Sequence, residues 1–471
     1  MHYILYGSII SYNHFANILK QIEYKEEYIC YAQDIYNYFI KELIKENLLS
    51  IYELIDLPLS YILFNIENIG IEVDIEMLKI CSHDLDKRLK ILEQKIYQLA
   101  GEEFNINSPK QLSIILFDKL NLNLDNNKKK YSTDIEILEK LKDNGILIAE
   151  FLIKWRELSK LKNTYTTGLQ KFIINNKIHT TLDQTGTATG RLSSYNPNLQ
   201  NIPIKSQEAE NLRNCFISGK DKDGEELIFI SSDYSQIELR LLAIITNSNN
   251  LLNAFAENKD IHLDTAAKIF NIPHSNITKE QRQKAKTINF GIIYGMGQFG
   301  LAKKLNISNN EAKLYIERFF AQYPEINKYM EETILFAKEN GFVKNMFGRK
   351  CYLQTNLSSG FLNRAAVNFP IQSSASDIIK AVMIRLQNKF IANKWPIKCV
   401  LQVHDELIFI TKKKYQTESI EHIKHIMQID CFNNNILIND LLKDNINNLQ
   451  NIKSIPISIN IAISDTFFFN K

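Results

Sequence analysis

The sequence predicts an α+β protein in which many helices surround a small sheet. Two regions have the apolar composition of buried strands. Residues 227–232 (LIFISS) precede an acidic residue, and the runs 399–403 and 407–410 flank a second acidic position. The remainder of the second half has mostly helical patterns, so the helices outnumber the strands.

The first half contains a predicted helical arm. Apolar residues recur at steps of three and four between residues 77 and 100, namely Leu85, Leu89, Leu92, Ile96 and Leu99. A second stripe contains Phe151, Trp155 and Leu158, and the polar segment NLDNNKKKYSTD between the two predicts an exposed loop with a basic tip. Two helices joined at a far loop predict a projecting arm, and a plain helical hairpin on a core fits the same pattern.

Composition narrows the class of protein. The chain has 471 residues, enough for two or three cores, and its net charge of +3 comes from 56 basic and 53 acidic residues. Such a balance does not indicate a strongly basic nucleic-acid binder, so any positive surface must be local. The 6 cysteines are far apart without a C-x-x-C pair, and we expect free, reduced thiols. With no signal-like start and no apolar stretch as long as a membrane span, the chain is expected to be soluble and intracellular.

Acidic residues at the ends of the predicted strands are candidate metal ligands. Asp233 lies where a strand pattern gives way to a helical one, and Asp405 and Glu406 lie between two apolar runs, as at the tip of a tight hairpin. Buried carboxylates brought together would repel unless a divalent cation lies between them, and oxygen ligands suit magnesium. Two such ions can promote phosphoryl transfer. Alternatively, Asp233 caps its helix and Asp405 shapes a turn.

A basic and aromatic helix is predicted from Thr278, which forms a possible capping box with Gln281. Four side chains then follow at steps of four and share one face: Arg282, Lys286, Phe290 and Tyr294. Cations near the helix start suit a triphosphate, and the rings suit a sugar and base. A solvated basic turn leading to a buried aromatic end remains the alternative.

Three segments resemble motifs A, B and C of family A DNA polymerases: DYSQIELR, the R-x-x-x-K-x-x-x-F-x-x-x-YG helix and QVHDE. The stretches TGTATGRLSSYNPNLQNIP, DIHLDTAA and RAAVNFPIQSSASDIIK agree, and the resemblance runs from about residue 57 to the C-terminus. It implies a right-hand fold of palm, fingers and thumb. The implied domains are a helical, inactive remnant of an exonuclease-like domain (1–56), the palm start (57–76), the thumb (77–180), the palm with motif A (181–245), the fingers (246–375) and the palm with motif C (376–471).

The resemblance also implies site roles. Asp233, Asp405 and the backbone of Tyr234 would bind two Mg²⁺ ions, with Glu406 as an auxiliary catalytic acid. The nucleotide would be bound by Arg282, Lys286, His262, Phe290, Tyr294, Gln236 and Glu238. Of these, Glu238 would block a 2′-hydroxyl and so select deoxyribose.

DNA contacts are implied as well. Arg364, Asn368 and Gln372 lie four residues apart and, with Arg191, resemble the family's minor-groove readers at the primer terminus. Polar residues that satisfy a buried helix are the alternative. His404 resembles a primer-end contact, and a hydrogen-bonded core histidine fits its position as well.

The expected function is template-directed DNA synthesis from deoxynucleoside triphosphates on primer-template DNA, in replication or repair. No early Asp-x-Glu pair of a 3′–5′ exonuclease is present, so we expect no proofreading. Residues 433–454 are expected to be an insertion in the palm. We further expect a monomer that does not associate with membranes. Its expected compartment is the bacterial cytoplasm or nucleoid, with an organelle as the other possibility. Any 5′-nuclease is expected on a separate protein. A single-subunit RNA polymerase and a catalytically inactive DNA-binding remnant are the rival hypotheses, and Glu238 and Phe290 argue against the first.

Overall fold

The computed structural model describes residues 32–122, 132–204, 206–353, 358–429 and 457–469. The principal helices are α1 Ala32–Lys45, α2 Leu49–Ile69, α3 Ile75–Ala100, α4 Pro109–Ser113, α5 Ile135–Asp143, α6 Leu147–Lys160, α7 Gln207–Asn214, α8 Ile237–Thr246, α9 Asn249–Ala256, α10 Ile261–Phe270, α11 Lys279–Ile293, α12 Gln298–Leu305, α13 Asn309–Gln322, α14 Pro324–Asn340, α15 Ser359–Ala392 and α16 Gln416–Lys424. The strands are β1 Ile71–Val73, β2 Ile173–Ile174, β3 Lys177–Ile178, β4 Thr181–Asp183, β5 Ser193–Tyr195, β6 Phe216–Ile217, β7 Leu227–Tyr234, β8 Phe342–Lys344, β9 Lys350–Tyr352, β10 Ile397–Val403, β11 Glu406–Lys412 and β12 Ile459–Ser464.

Four antiparallel strands form the central sheet in the order β10-β11-β7-β12. Its two middle strands are the apolar runs predicted from the sequence, and β7 is buried along nearly all its length. A strand covered on both faces is apolar at successive positions, which explains why β7 lacks simple alternation. The central sheet therefore provides a rigid frame for the residues at its strand ends.

The arm consists of α3, α5 and α6, and it starts beside a smaller sheet of order β2-β3-β1-β6. Asp74 caps α3 by accepting a hydrogen bond from the amide of Met77 at 2.9 Å, and the helix ends at Gly101, whose φ is +74°. The long helix and its packing against α6 are as predicted. Leu99 is the exception, because the buried stripe passes to Ala100 at the helix end and leaves Leu99 40% exposed. The predicted basic tip at 123–131 lies outside the described residues.

One face of helix α2 packs into the core. Among the described residues it is the one helix long and apolar enough to cross a membrane by length and composition, which the sequence analysis did not expect. Six of its side chains are buried in the same core as the central sheet: Ile51, Ile55, Leu59, Ile62, Leu63 and Ile66. A core helix has this composition too. The predicted remnant at 1–56 is described only from residue 32, where it is helical, and the expected insertion at 433–454 lies outside the described residues.

A buried cluster of charges connects α2 to α15. The guanidinium of Arg349 is 2% exposed and forms bidentate contacts with both Asp377, at 2.8–3.1 Å, and Asp56, at 3.0–3.1 Å. The ammonium of Lys380 lies 3.4 Å from Asp56 and 4.0 Å from Asp377. Two acids and two bases balance, and every charge in this charge cluster has an opposite partner.

Removal of one acid from the charge cluster should destabilise the fold. In Asp377→Ala, the cations of Arg349 and Lys380 would share Asp56 alone while remaining buried. We expect the free energy of unfolding to fall by about 3–5 kcal/mol in a denaturant titration. The control Asp84→Ala removes an exposed pair with Arg88 and should cost less than about 1 kcal/mol. Equal losses in the two variants would contradict a stabilising role for the cluster.

Candidate active site

The pairing of β7 with β11 places Asp233 directly opposite Glu406. Asp405 lies next to Glu406 in the two-residue turn between β10 and β11, and its carbonyl accepts a hydrogen bond from the amide of Tyr234 at 3.2 Å. Acids separated by more than 170 positions in the sequence thus lie at one end of the central sheet. Glu406 is the first residue of β11, so it does not lie in the turn as the sequence had suggested.

Hydrogen bonds fix the turn that carries Asp405. The side-chain amide of Gln402 donates to the carbonyl of His404, and the amide of Gln200 donates to the carbonyl of Gln402 at 3.1 Å. His404 is exposed and has a φ of +54°. Because its ring is exposed, the interpretation as a core histidine is wrong.

Glu406 is oriented by a neighbour on the same face of the central sheet. Ser231 precedes Asp233 by two residues, so the two side chains lie on one face of β7, and the Ser231 hydroxyl donates to the Glu406 carboxylate. This hydrogen bond holds the Glu406 carboxylate on the face of the central sheet that carries Asp233.

One arginine connects Asp405 of the turn with Glu238 of α8. The guanidinium of Arg191 pairs with Glu238, which is 7% exposed, and lies 4.0 Å from Asp405. Burial raises the pKa of Glu238 to about 7; Arg191 opposes the rise and Asp405 adds to it. The pKa of Asp405 is raised as well, mainly by burial, while Arg191 and His404 oppose the rise. Arg191 thus lowers the free-energy cost of ionising both carboxyl groups.

The donor set fits a hard divalent cation. Among the described residues no three His, Cys, Asp or Glu side chains lie close enough together to hold a metal ion. Two carboxylates, Asp233 and Asp405, with an adjacent backbone carbonyl at Tyr234, offer only oxygen ligands and leave positions for water and phosphate. This is how magnesium binds in phosphoryl-transfer sites.

Helix α11 begins with the predicted capping box between Thr278 and Gln281. At its first turn the Nε of Arg282 lies 2.6 Å from the carboxylate of Asp260, while Lys286 is exposed. Asp260 also caps α10, accepting hydrogen bonds from the amide of His262 at 3.0 Å and from the next amide. The same acid thus joins the starts of both helices.

His262 is directed inward. Its ring is 2% exposed, lies 2.9 Å from the side-chain amide of Asn289 and packs beside Phe290. Burial lowers the pKa of His262 to about 4, and Lys286 and Arg282 add to this effect against Asp260. The imidazole is therefore neutral near pH 7, and the structure does not place it among exposed phosphate-binding groups.

The aromatic end of α11 borders an open cavity of about 530 Å³. Phe290 and Tyr294 stack with ring centroids 6.1 Å apart, and Tyr294 follows the last residue of the helix. Gly295 has a φ of +72°, and a Cβ there would lie 2.9 Å from the side chain of Arg364. This glycine therefore allows α15 to approach α11.

Three predicted DNA contacts lie on α15, which continues through Pro370 without interruption. Arg364 is exposed and lines the cavity, and the amide of Asn368 donates to the carbonyl of Tyr294 at 3.4 Å. Gln372 is half-buried one turn further along. Gln236, predicted to contact nucleotide, precedes α8 with a φ of +56°.

Residues 75–464 match the family model described as DNA polymerase family A. The chain belongs to this family. It is 42% identical over 391 residues to DNA polymerase I of Caldicellulosiruptor bescii, a match covering 81% of this chain and 45% of the relative. It is 41% identical over 435 residues to DNA polymerase I of Borreliella burgdorferi, covering 90% of this chain and 47% of the relative. The chain thus spans a little under half the length of these relatives.

The fold agrees with a family A polymerase of known structure. The POL domain of Pol1 from M. smegmatis, solved in complex with DNA primer-template and dNTP, superposes with a TM-score of 0.87 at 28% identity. The match covers 99% of this chain and 81% of that one. The predicted right-hand polymerase fold is confirmed, while the domain boundaries and residue roles stay predictions.

The sequence patterns did not predict several polar residues that hold the site residues of this family A chain in place. Gln200, Gln402 and Ser231 hold the acids, and Asp260 holds Arg282. No periodicity marks such polar partners, because each depends on contacts between distant segments. The charge cluster did leave a signal: Asp377 and Lys380 interrupt an otherwise apolar stretch of α15, and buried charges require partners.

The raised pKa of Glu238 predicts a pH-dependent stability. Between about pH 4.5 and 7 the folded protein keeps a proton on Glu238 that the unfolded chain loses, so this residue makes the fold less stable as pH rises. Glu238→Gln imitates the protonated acid. We expect the variant to match the native protein at pH 4 and to be more stable by on the order of 3 kcal/mol at pH 8, as measured by denaturant titration. The same stability difference at both pH values would contradict the assignment.

Proposed function

We propose that this chain copies a DNA template by adding deoxynucleoside triphosphates to a primer 3′-hydroxyl, with release of pyrophosphate. The observation that carries the proposal is the pairing of β7 with β11, which places Asp233 beside Asp405 and Glu406. The POL domain with a similar fold was solved with primer-template and dNTP, which supports the same substrates here.

Two magnesium ions are proposed at Asp233, Asp405 and the Tyr234 carbonyl. When bound, they would activate the attacking hydroxyl and stabilise charge on the transferred phosphate. Neighbouring residues fix the positions of the proposed ligands. Ser231 holds Glu406 beside the ligands, and the Tyr234 amide holds the turn that carries Asp405.

The triphosphate is assigned to Arg282 and Lys286 on the first turns of α11. Lys286 is already exposed, and Arg282 would exchange Asp260 for phosphate oxygens. His262 would also contact the triphosphate after its ring turns away from Asn289.

The nucleotide sugar and base are assigned to Phe290, Tyr294 and Glu238, with Gln236 beside them. The rings offer apolar faces at a cavity, and a bulky carboxyl near C2′ would reject a ribonucleotide by contact and by loss of solvation. At the primer terminus, Arg191, Arg364, Asn368, Gln372 and His404 would contact the minor groove. Hydrogen-bond acceptors occur there in every base pair, so donors can test pairing geometry without reading sequence.

The proposal covers the polymerase reaction alone. We propose that the chain does not proofread, that it acts as a monomer, and that it works in the bacterial cytoplasm with the chromosome. The relatives named above are bacterial, in keeping with this compartment.

The decisive assay is extension of a 5′-labelled primer on a DNA template with magnesium, comparing deoxynucleotides with ribonucleotides. Asp233→Asn should reduce the rate by roughly 1,000-fold or more, equal to about 4 kcal/mol of transition-state stabilisation, because a ligand charge is lost. The matched variant Asp223→Asn alters an acid whose side chain is 80% exposed and should extend normally. DNA binding without extension by the native protein would favour an inactive remnant, and preference for ribonucleotides would favour an RNA polymerase.

Arg191 is held in place through its neighbour Gly190. The hydroxyl of Ser376 on α15 donates to the carbonyl of Gly190 at 2.8 Å, and a Cβ at Gly190 would lie 3.5 Å from the side chain of Arg349. The loop that contains Gly190 and Arg191 therefore packs against the charge cluster. Ser376 is a positioning residue in this proposal.

Ser376→Ala should lower kcat about fivefold, equal to about 1 kcal/mol, and should have no further effect in an Arg191→Ala background. The control Ser374→Ala removes a buried hydroxyl of the same helix that accepts from the amide of Met346 at 3.1 Å and does not bond Gly190. It should leave kcat unchanged. Additive losses from Ser376→Ala and Arg191→Ala would show that Ser376 does not act through Arg191.

A further inference from the structure

Two cysteines face each other where the arm joins the rest of the protein. Cys81 lies in the second turn of α3, and Cys215 directly precedes β6, 134 positions later. Their sulfur atoms are 3.7 Å apart, and both lie near the carbonyl of Asn211, at 3.7 and 3.4 Å. Neither thiol takes part in the proposed polymerase reaction.

The two thiols differ in access. Cys81 is partly exposed, whereas Cys215 is fully buried behind it. A reagent from solvent therefore meets Cys81 first, and a group attached to Cys81 can leave toward solvent. Cys215 can then approach the Cys81 sulfur from the protein side.

The contact between the two sulfur atoms also favours the thiolate form of Cys81 over its thiol form. A hydrogen bond from the Cys215 thiol lowers the pKa of Cys81 to about 7, against the opposing effects of burial and Asp84. Burial raises the pKa of two other cysteines, Cys351 to about 11 and Cys399 to about 12. Among the cysteines that the structure describes, Cys81 is thus the thiol prepared for reaction near neutral pH.

We propose that Cys81 and Cys215 form a modification site that takes up a disulfide bond by exchange with a low-molecular-weight disulfide. The Cys81 thiolate attacks one sulfur of the reagent, forms a mixed disulfide and releases one thiolate. Cys215 transfers its proton to the departing thiolate and attacks the Cys81 sulfur, which releases the second thiol. One protein thiolate and one protein thiol are oxidised to a disulfide, and the reagent is reduced to one thiolate and one thiol.

The required movement is small. A disulfide bond is about 2.05 Å long, so the two sulfur atoms must approach by about 1.7 Å in total. The chain near Cys215 is already anchored to the start of α3, because its carbonyl accepts from the amide of Asp74 at 2.8 Å. The bond would fix the root of the arm to β6.

The test uses the full chain with Cys30 and Cys431 changed to serine, which leaves the four described cysteines. The reduced protein is incubated with oxidised glutathione at pH 7.5 and digested without reduction for peptide mass spectrometry. We expect a cross-linked peptide pair containing Cys81 and Cys215, with the thiols of Cys351 and Cys399 unmodified. The oxidised protein should have a higher Tm than its reduced form.

Single variants separate the two steps. In Cys215→Ser the reaction should stop with glutathione on Cys81, and in Cys81→Ser glutathione should not appear on Cys215 in the same time. Circular dichroism confirms that each variant is folded, and in denaturant all cysteines should react alike. Absence of the cross-link in the folded protein, or a Cys81 that reacts no faster than Cys351, would overturn the proposal.

Discussion

Much of the architecture depends on the ion pairs that the guanidinium of Arg349 forms with two acids. This guanidinium binds Asp56 of α2 and Asp377 of α15 at once, and a charge this deeply buried is stable only while both acids remain in place. Segments separated by about 300 residues are thereby fixed against each other. The loop containing Gly190 rests on this cluster, so a purely structural contact sets the position of a proposed DNA-binding arginine.

A second constraint is the register of β7. A shift by one residue would turn Asp233 to the opposite face of the central sheet and separate it from Glu406. Pairing with strands on both sides and burial along β7 make such a shift costly. The position of the candidate metal ligands is thus a consequence of core packing.

Local patterns predicted the elements that carry the site. The apolar runs around Asp233 and Asp405 marked β7 and the β10–β11 hairpin, and Thr278 marked the start of α11 because helix capping depends on neighbouring residues alone. The sequence could not predict the orientation of individual side chains. His262 is directed toward Asn289, and Arg282 binds Asp260, because contacts between α10 and α11 decide both.

The electrostatics of the carboxylates explain why Arg191 lies where it does. Burial disfavours the charged forms of Glu238 and Asp405, and Asp405 further raises the pKa of Glu238. Arg191 pairs with Glu238, lies 4.0 Å from Asp405 and opposes both pKa shifts. A cation that binds at Asp405 supplies the same compensation more directly and competes with Arg191 for that carboxylate. The acid pair would therefore couple the charge state of the proposed metal site to the position of the arginine proposed to contact the primer terminus.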